Sequence, residues 1–311
     1  MDTKDLSAEA EAFDKRVQER LDNGMIPDLN KTRFNPWFFN NPWRKPEYVD
    51  MVFGDYYRFA KAQIEGCKHV LEVGSGLGHM CLQFARDGFD VTGLELSKTS
   101  TDTAVKFADK ELLDSGKLKY VNSDFLSWEA PQKFDAICFI LTLHHFQNLD
   151  EIMERCQYNL KEGGRIIVIE PARDLFSERN AALVALVRGV LSLTGNWHAP
   201  VELDSNSKMA DYTQEVLNEY RDAKDKDENE QSPNDNDAFA RDMIDALDRH
   251  FQRETLTHGN SIVPRMVGGI RADNEHDEMK LARLIKMFDD FATASGYIDP
   301  GVFFYSGILT K

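Results

Sequence analysis

The sequence predicts an α/β fold in which helices cover both faces of a mostly parallel, doubly wound sheet. Three observations lead to this prediction. Short apolar segments alternate with amphipathic helical segments between residues 66 and 171. The apolar segments are rich in β-branched residues, and residues 134–140 are apolar enough to be buried on both faces. A glycine-rich turn follows the first strand, at residues 74–78. Repeated strand–helix units of this kind are typical of a doubly wound sheet.

The composition is that of a soluble globular protein. The chain has 311 residues, of which 42% are hydrophobic and 29% charged, enough for one elaborated domain or two modest ones. No apolar run approaches the length of a membrane span, and residues 1–5 are polar rather than the start of a signal core. We therefore expect a cytoplasmic protein without a membrane partner.

The formal net charge of −16 bears on the partners. A surface of this sign repels nucleic acid unless a basic face offsets it, and the sequence has no long Lys/Arg cluster. The charge favours a neutral or cationic small molecule and argues against nucleic acid, although it can also serve solubility alone. The cysteines at positions 67, 81, 138 and 156 show no paired or metal-ligand spacing, so we expect neither a disulfide nor a metal site.

Residues 1–65 are predicted to form an N-terminal helical and aromatic cap. Phe13, Val17 and Leu21 recur at helical spacing in residues 1–24, and an aromatic tract at 34–44 precedes a helix at 46–65. The aromatic residues either dock this segment on the main body or line a substrate pocket, and both can hold at once.

The cofactor-binding core is predicted at residues 66–171. Strands are expected at residues 70–73, 90–96, 118–122, 134–140 and 165–170, and helices at residues 79–87, 98–115 and 149–160. The regular alternation ends at Pro171.

Residues 172–250 are predicted to be an inserted helical lid, and residues 251–311 to complete the core. The polar run at 221–237 is expected to be a solvated loop. Helices are expected at residues 181–193, 210–220, 238–250 and 275–295, and strands at residues 252–258 and 302–309.

The glycine turn predicts a nucleotide-type ligand. Gly74, Gly76 and Gly78 allow a ligand to approach main-chain N–H groups at the start of a helix. Glu95 ends the second strand about twenty residues later, where a carboxylate can accept ribose hydroxyls, and Asp124 ends the third. Each acid has an alternative role, Glu95 at a helix N-terminus and Asp124 as a loop cap.

Five motifs resemble those of the class I S-adenosylmethionine-dependent methyltransferases. They stand in the family's order: Glu-x-Gly-x-Gly-x-Gly at residues 72–78, the acid Glu95, Asn-Ser-Asp-Phe at 122–125, Phe-Asp at 134–135 followed by Leu-His-His-Phe at 143–146, and Leu-Lys-Glu-Gly-Gly at 160–164. The Asn/Asp-Pro-Pro-Tyr motif of the family's nucleic-acid amine methyltransferases does not follow the fourth strand.

The resemblance implies a seven-stranded Rossmann-like methyltransferase fold whose last strand, residues 302–309, runs antiparallel. It implies S-adenosyl-L-methionine as cofactor and S-adenosyl-L-homocysteine as product. The implied cofactor-binding residues are Glu72, Gly74, Ser75, Gly76, Gly78, Glu95, Leu96, Asp124, Phe125, Phe139 and Ile140.

The residues that touch the methyl acceptor are less constrained. A base is needed only if the acceptor loses a proton, and His145 and His144, just beyond the fourth strand, are the candidates. One of them can instead serve packing. Candidate substrate residues in the cap and the insertion are Trp37, Trp43, Arg44, Tyr56, Tyr57, Trp197, His198 and Tyr212.

The sequence thus predicts a methyltransferase acting on an oxygen or nitrogen of a small molecule, as a monomer or homodimer. Two alternatives belong to other classes. A catalytically silent partner protein would bind the cofactor without turnover. A nicotinamide-dependent oxidoreductase would bind NAD, although the second half of a dinucleotide fold is not evident in the sequence.

Overall fold

A computed structural model describes residues 3–221 and 238–310, so the polar loop predicted at 221–237 lies outside the described residues except for its first residue. The described chain forms one seven-stranded sheet. Its strands are β1 (His69–Val73), β2 (Asp90–Glu95), β3 (Leu118–Asn122), β4 (Phe134–Ile140), β5 (Leu160–Pro171), β6 (Gln252–Gly259) and β7 (Val302–Ile308).

The helices lie close to the predicted segments. They are α1 (Thr3–Asp22), α2 (Pro46–Val49), α3 (Asp55–Gln63), α4 (His79–Arg86), α5 (Lys98–Phe107), α6 (Lys110–Asp114), α7 (Leu149–Asn159), α8 (Glu178–Leu193), α9 (Asn206–Arg221), α10 (Ala240–His250) and α11 (Glu275–Ala294). A single π-helical turn, Asp50–Gly54, joins α2 to α3.

The strand order is β3-β2-β1-β4-β5-β7-β6. β1 to β5 pair in parallel, whereas β7 runs antiparallel to both β5 and β6. The prediction of a seven-stranded, mostly parallel sheet with an antiparallel last strand is confirmed. The order reverses beside β1, so the crevice beyond the carboxyl ends of β1, β2 and β4 is the ligand position expected for open α/β sheets.

Two hydrophobic cores cover the two faces of the sheet. Val70, Ala136 and Ile167 pack on the face that carries α3, α4 and α11. Leu71 and Ile137, next to them in sequence, point to the face that carries α7 and α10. Side chains alternate across a strand, which explains why these strands have apolar residues on both faces.

The helix predicted at residues 98–115 is divided in two. α5 ends where Ala108 turns to an extended conformation (ψ 154°), and α6 begins after Asp109. The Asp109 carboxylate pairs with Arg86, whose Nε lies 2.7 Å away, so the break places an acid against α4. This charge-assisted hydrogen bond offsets the free-energy cost of interrupting the helix.

A third hydrophobic cluster docks the N-terminal segment. Val17 of α1 packs with Trp43 and with Leu77, a residue of the glycine turn. This cluster supports the docking interpretation of the aromatic tract.

The four cysteines are free thiols. No helix in the described ranges is long and apolar enough to cross a bilayer.

Candidate functional site: the glycine turn and the carboxyl ends of the strands

The glycine turn is hydrogen-bonded to β2 and contacts the loop after β4. The amides of Gly74 and Ser75 both donate to the carbonyl of Leu94, at 2.8 and 3.1 Å. Gly74 has φ +68°, and a Cβ there would lie 2.1 Å from Cγ2 of Thr142. Only glycine fits this backbone and this contact.

Glu95 links the turn to the end of β2. Its carboxylate accepts from the amide of Gly76 at 2.7 Å and from the amide of Ser97 at 2.8 Å. Burial raises the pKa of Glu95, and the amide donors offset only part of that effect. A carboxylate has about four acceptor positions, so capacity remains for the two ribose hydroxyls.

Ser75 and Gly76 differ in what surrounds them. The hydroxyl of Ser75 is buried, has no hydrogen-bond partner among the described residues, and lies beside Sγ of Cys81 and the ring of Tyr120 next to Gly93, in the core behind the turn. Gly76 has φ +52°, and a Cβ there would meet no atom within 4 Å. The free space at Gly76 lets a ligand come close to the main chain.

Glu72 is placed behind the turn rather than in it. The side chain is 3% exposed and accepts from Sγ of Cys81, on α4, at 2.8 Å. Burial raises the pKa of Glu72 to about 7. This contact joins the end of β1 to α4, the helix that follows the turn.

The prediction that the Phe125 ring binds the cofactor needs correction, whereas the one for Asp124 stays a prediction. The Asp124 carboxylate accepts from the amides of Leu126 and Ser127, at 3.3 and 3.1 Å, so it caps the turn that follows β3. The Phe125 ring is 3% exposed and packs edge-on against Phe139 in the core. The ring therefore has no open face for an adenine, because its apolar surface is already buried.

Leu96, Phe139 and Ile140 also occupy structural positions. The carbonyl of Leu96 accepts from Nδ2 of Asn122 at 2.7 Å, which joins the ends of β2 and β3. The side chains of Phe139 and Ile140 pack into opposite faces of the sheet. A contact of these two residues with the cofactor would therefore be made by their main chain, and it stays a prediction.

The loop after β4 carries the two histidines and a strained residue. Leu141 has φ +58°, which is uncommon for a residue other than glycine. His144 is 4% exposed, and its ring lies 4.2 Å from that of His145. Oγ1 of Thr142 donates to the carbonyl of Gly74 at 3.2 Å, so this loop and the glycine turn form one unit.

Glu170, at the end of β5, is a site residue that the sequence reasoning missed. Its carboxylate contacts the amides of Thr142 and Leu143 and the ring of His144. The sequence shows only a strand that ends in an acid before a proline, and that pattern does not reveal the partner.

The N-terminal helix contributes two more missed residues. Asp14 of α1 accepts from the hydroxyl of Ser97, directly beyond Glu95, and from the amide of Thr99 at 3.3 Å. Phe13 lies edge-on against His145, with ring centroids 5.4 Å apart. α1 thus contacts both sides of the crevice, at the end of β2 and at the loop after β4.

The structure assigns Arg44 and Trp43, both predicted substrate residues, to packing. Nη1 of Arg44 donates to Oε1 of Glu278 at 2.7 Å and to the carbonyl of Ile270 at 3.0 Å, and the side chain is buried. Trp43 is 7% exposed and packs against Phe53 and His79. Packing thus explains both side chains, and a substrate role for this pair stays a prediction.

The other substrate candidates are dispersed. Tyr56 is buried against Phe53 and Phe304, and Tyr57 stacks on Phe84 of α4. Trp37 is exposed on the cap. Packing therefore explains Tyr56 and Tyr57.

Trp197, His198 and Tyr212 belong to the insertion. Trp197 lies under the guanidinium of Arg188, 5.2 Å from it, and is 7% exposed. The amide of His198 donates to the carbonyl of Gly269 at 2.9 Å. Tyr212 is half-buried and packs against the hydrophobic core that includes Val70, Ala136 and Ile167. Arg44, Trp197 and His198 all contact residues 268–270. These residues are far from the glycine turn in the sequence.

Comparison with known proteins gives a family match. The family model described as "Methyltransferase domain" matches residues 47–218. The chain is 30% identical over 151 residues to a ubiquinone biosynthesis O-methyltransferase of Chelativorans sp., covering 46% of this chain and 56% of that protein. It is 26% identical over 145 residues to a sterol 4-C-methyltransferase of Caenorhabditis elegans, covering 39% and 43%. The chain thus spans about half the length of these curated relatives.

A solved structure shows the same fold. Geranyl diphosphate C-methyltransferase from Streptomyces coelicolor superposes with a TM-score of 0.55 over 99% of both chains, at 11% sequence identity. The match over residues 47–218, the strand order and the glycine turn with Glu95 agree, and the chain belongs to the class I S-adenosylmethionine-dependent methyltransferase family.

Proposed function

We propose that the protein transfers the methyl group of S-adenosylmethionine to an oxygen or nitrogen of a small molecule and releases S-adenosylhomocysteine. The observation that carries this proposal is the Glu95 carboxylate bound to the amide of Gly76 across the glycine turn. A carboxylate at this position would offer an acceptor for ribose hydroxyls beside the free space at Gly76.

The cofactor would supply a methyl group already activated on a sulfonium, so the protein has mainly to bind, orient and exclude water. The backbone around Gly74 and Gly76 would hold the methionine part, and Glu95 the ribose. Glu95 and Asp14 supply negative charge at this edge of the sheet, and the formal net charge of the chain is −16. Negative charge favours a cationic ligand by simple Coulomb attraction.

The nature of the acceptor is inferred from the histidines and the relatives. His144 and His145 follow β4, where either could take the proton that an acceptor hydroxyl loses when it is methylated; a neutral amine can be methylated without such a base. The relatives include a ubiquinone biosynthesis O-methyltransferase and a sterol 4-C-methyltransferase, whose names both refer to small molecules. We therefore propose a small-molecule acceptor rather than nucleic acid.

Calorimetric titration with S-adenosylhomocysteine tests the cofactor site. Glu95→Gln should weaken binding by about tenfold or more, because hydrogen bonds to a charged group contribute about 1.5–3 kcal/mol. Asp114→Asn is the matched control, since Asp114 is an exposed acid paired with Lys110 on α6. Unchanged affinity in Glu95→Gln would contradict the cofactor assignment.

Incubation with methyl-labelled S-adenosylmethionine and a metabolite extract tests the activity. Label should move to a small organic product, and the histidine variants His144→Gln and His145→Gln should slow that transfer. Binding of the cofactor without any transfer in the presence of extract would instead favour the catalytically silent partner protein.

A further inference from the structure

The outer face of α11 is apolar, although it is exposed. The residues at its centre recur at the spacing of one helix face, and they are Leu284, Met287, Phe288 and Phe291. The ring of Tyr297, just beyond the helix, lies 5.7 Å from that of Phe291. These five side chains are 40–66% exposed. Together they form one patch, called here the outer stripe.

The opposite face of α11 holds the helix on the protein. Ala282, Ile285 and Ala292 are buried in the core on this side of the sheet. The buried carboxylate of Asp289 accepts from the backbone amides of residues 261–263, at 3.0–3.1 Å. A surface helix ordinarily has one apolar face, and a helix that is apolar on both is buried on both. The outer stripe therefore indicates a second contact surface.

The size and composition of the outer stripe fit a protein interface. A large aromatic side chain presents about 150–250 Å², so five half-exposed side chains of this kind leave about 500 Å² uncovered. A specific interface buries about 800 Å² on each partner, and its centre is enriched in aromatic residues and methionine. Residues 222–237 have no apolar side chain larger than proline, so this segment has no suitable surface to bury against the stripe.

The charges beside the outer stripe are arranged to meet a second copy of the same helix. Arg283 and Asp290 are seven residues apart, nearly two full turns, so they lie along the same edge of the stripe. They stand on opposite sides of its midpoint, between Met287 and Phe288. When two copies of α11 pack antiparallel about a twofold axis, these equal edges meet. Arg283 of each copy then lies opposite Asp290 of the other.

We propose that the outer stripe is the contact surface of a homodimer, in which two copies of α11 pack antiparallel about a twofold axis. A lipid surface is the other apolar partner that such a helix face could contact, and the charges argue against it. Helices that lie on membranes are rich in Lys and Arg. α11 instead has five acidic residues and three Lys or Arg residues, and the chain has a formal net charge of −16.

Sedimentation equilibrium of the full chain, without any ligand, tests the dimer. Up to about 100 μM, the wild-type protein should reach twice the chain mass of 35.6 kDa. Met287→Asp should raise the dissociation constant by about tenfold or more, because it buries a carboxylate at the centre of the contact. Leu193→Asp is the matched control, since Leu193 is an exposed apolar residue at the end of α8, and its dimer should be unchanged.

Two results would overturn the proposal. One is a wild-type protein that stays monomeric over the whole concentration range, and cosedimentation with vesicles of phosphatidylcholine and phosphatidylserine would then identify a membrane contact instead. The other is a dimer that Leu193→Asp weakens and Met287→Asp does not, because its contact surface would lie elsewhere. Circular dichroism spectra equal to that of the wild type show that each variant is folded.

Charge reversal tests the antiparallel arrangement. Arg283→Asp should raise the dissociation constant by about tenfold or more, since it places two carboxylates opposite each other at both ends of the contact. Adding Asp290→Arg to this variant should restore dimerisation, because the opposite charges then face each other again. Lys286 loses its partner Asp290 in the double variant but still has Asp55, 2.8 Å away. A double variant that dimerises no better than Arg283→Asp would contradict the antiparallel packing.

Discussion

At the scale of single residues, the site depends on carboxylates whose surroundings differ. Burial has the largest effect on the pKa of Glu72, whose carboxylate accepts a hydrogen bond from the thiol of Cys81. Burial raises the pKa of Glu95, and hydrogen bonds from the backbone amides of Gly76 and Ser97 oppose this rise. Glu170 has two backbone amides and a histidine. The same side-chain chemistry therefore supports the turn from behind, links the turn to the end of β2, and holds the loop after β4.

Glu72→Gln should remove a pH dependence of stability. The pKa of Glu72 is raised from 4.5 to about 7 in the folded protein. A raised carboxyl pKa contributes stability below pH ~4.5 that is lost as the pH rises through about 7, by about 3 kcal/mol. The free energy of unfolding of Glu72→Gln relative to wild type should thus increase between about pH 5 and about pH 8, as measured by urea titration.

The comparison between variant and wild type isolates Glu72, because the other perturbed groups titrate in both proteins. Burial raises the pKa of Asp289 to about 6 and lowers that of His79 to about 4. A constant difference in stability across the pH range would contradict the buried position of Glu72.

Gly76→Ala should weaken binding of S-adenosylhomocysteine by tenfold or more, because the added methyl group would fill the space left for the ligand. Gly66→Ala is the matched control. Both glycines have positive φ, +52° and +83°, and a Cβ at either position meets no protein atom within 4 Å. Each variant should lose about 1–2 kcal/mol of stability from the left-handed backbone. Calorimetry should show reduced affinity for Gly76→Ala alone, and equal affinities would place the ligand elsewhere.

At the scale of elements, α1 connects the two sides of the crevice. Asp14 binds the residues that begin α5, and Phe13 packs on His145. Val17, one turn farther along the helix, packs against Leu77 of the glycine turn. α1 is thus attached at three points around the crevice.

Asp14→Ala should loosen α1. Loss of hydrogen bonds to a charged group costs about 1.5–3 kcal/mol, so amide exchange of the described part of α1 should accelerate by about tenfold or more. Hydrogen–deuterium exchange with mass spectrometry measures this rate. Asp22→Ala is the control, since Asp22 accepts from the exposed side chain of Gln18 in the same helix. Equal exchange in both variants would show that Asp14 does not hold the helix.

At the scale of the whole molecule, the cap and the C-terminal part are joined by a buried ion pair. Arg44 and Lys45 lie 2.7 and 3.1 Å from the carboxylate of Glu278, at the start of α11. Burial would raise the pKa of Glu278, but hydrogen bonds from Tyr48, Arg44 and Lys45 lower it overall. Arg44 also binds the carbonyl of Ile270, next to the residues that contact Trp197. Cap, insertion and core therefore meet at one place.

Arg44→Met should lower the free energy of unfolding by about 3–5 kcal/mol, because removing one partner leaves a buried charge less well compensated. Lys280→Met is the control. Lys280 lies 3.2 Å from Asp277 in an exposed pair, and its loss should cost less than about 1 kcal/mol. Chemical denaturation measures both values. A small effect of Arg44→Met would indicate that cap and core are joined mainly by the apolar cluster of Val17, Trp43 and Leu77.

The sequence by itself determined the order of strands and helices, the glycine turn and the position of Glu95 at the end of the second strand. These features follow from local hydrophobic period and from backbone constraints that only glycine satisfies. The antiparallel last strand came from the family resemblance. The aromatic tract was ambiguous, because an aromatic residue serves a core and a ligand pocket equally well.

The tertiary structure alone decided which polar groups became partners. Glu170 meets His144 across 26 positions, Asp14 meets Ser97 across 83, and Arg44 meets Glu278 across 234. Phe125 likewise turned into the core instead of the crevice. Such contacts depend on how distant elements pack, and hydrogen bonds need positions accurate to a few tenths of an ångström. Hydrophobic periodicity places an element on the sheet but does not fix its side-chain partners to that accuracy.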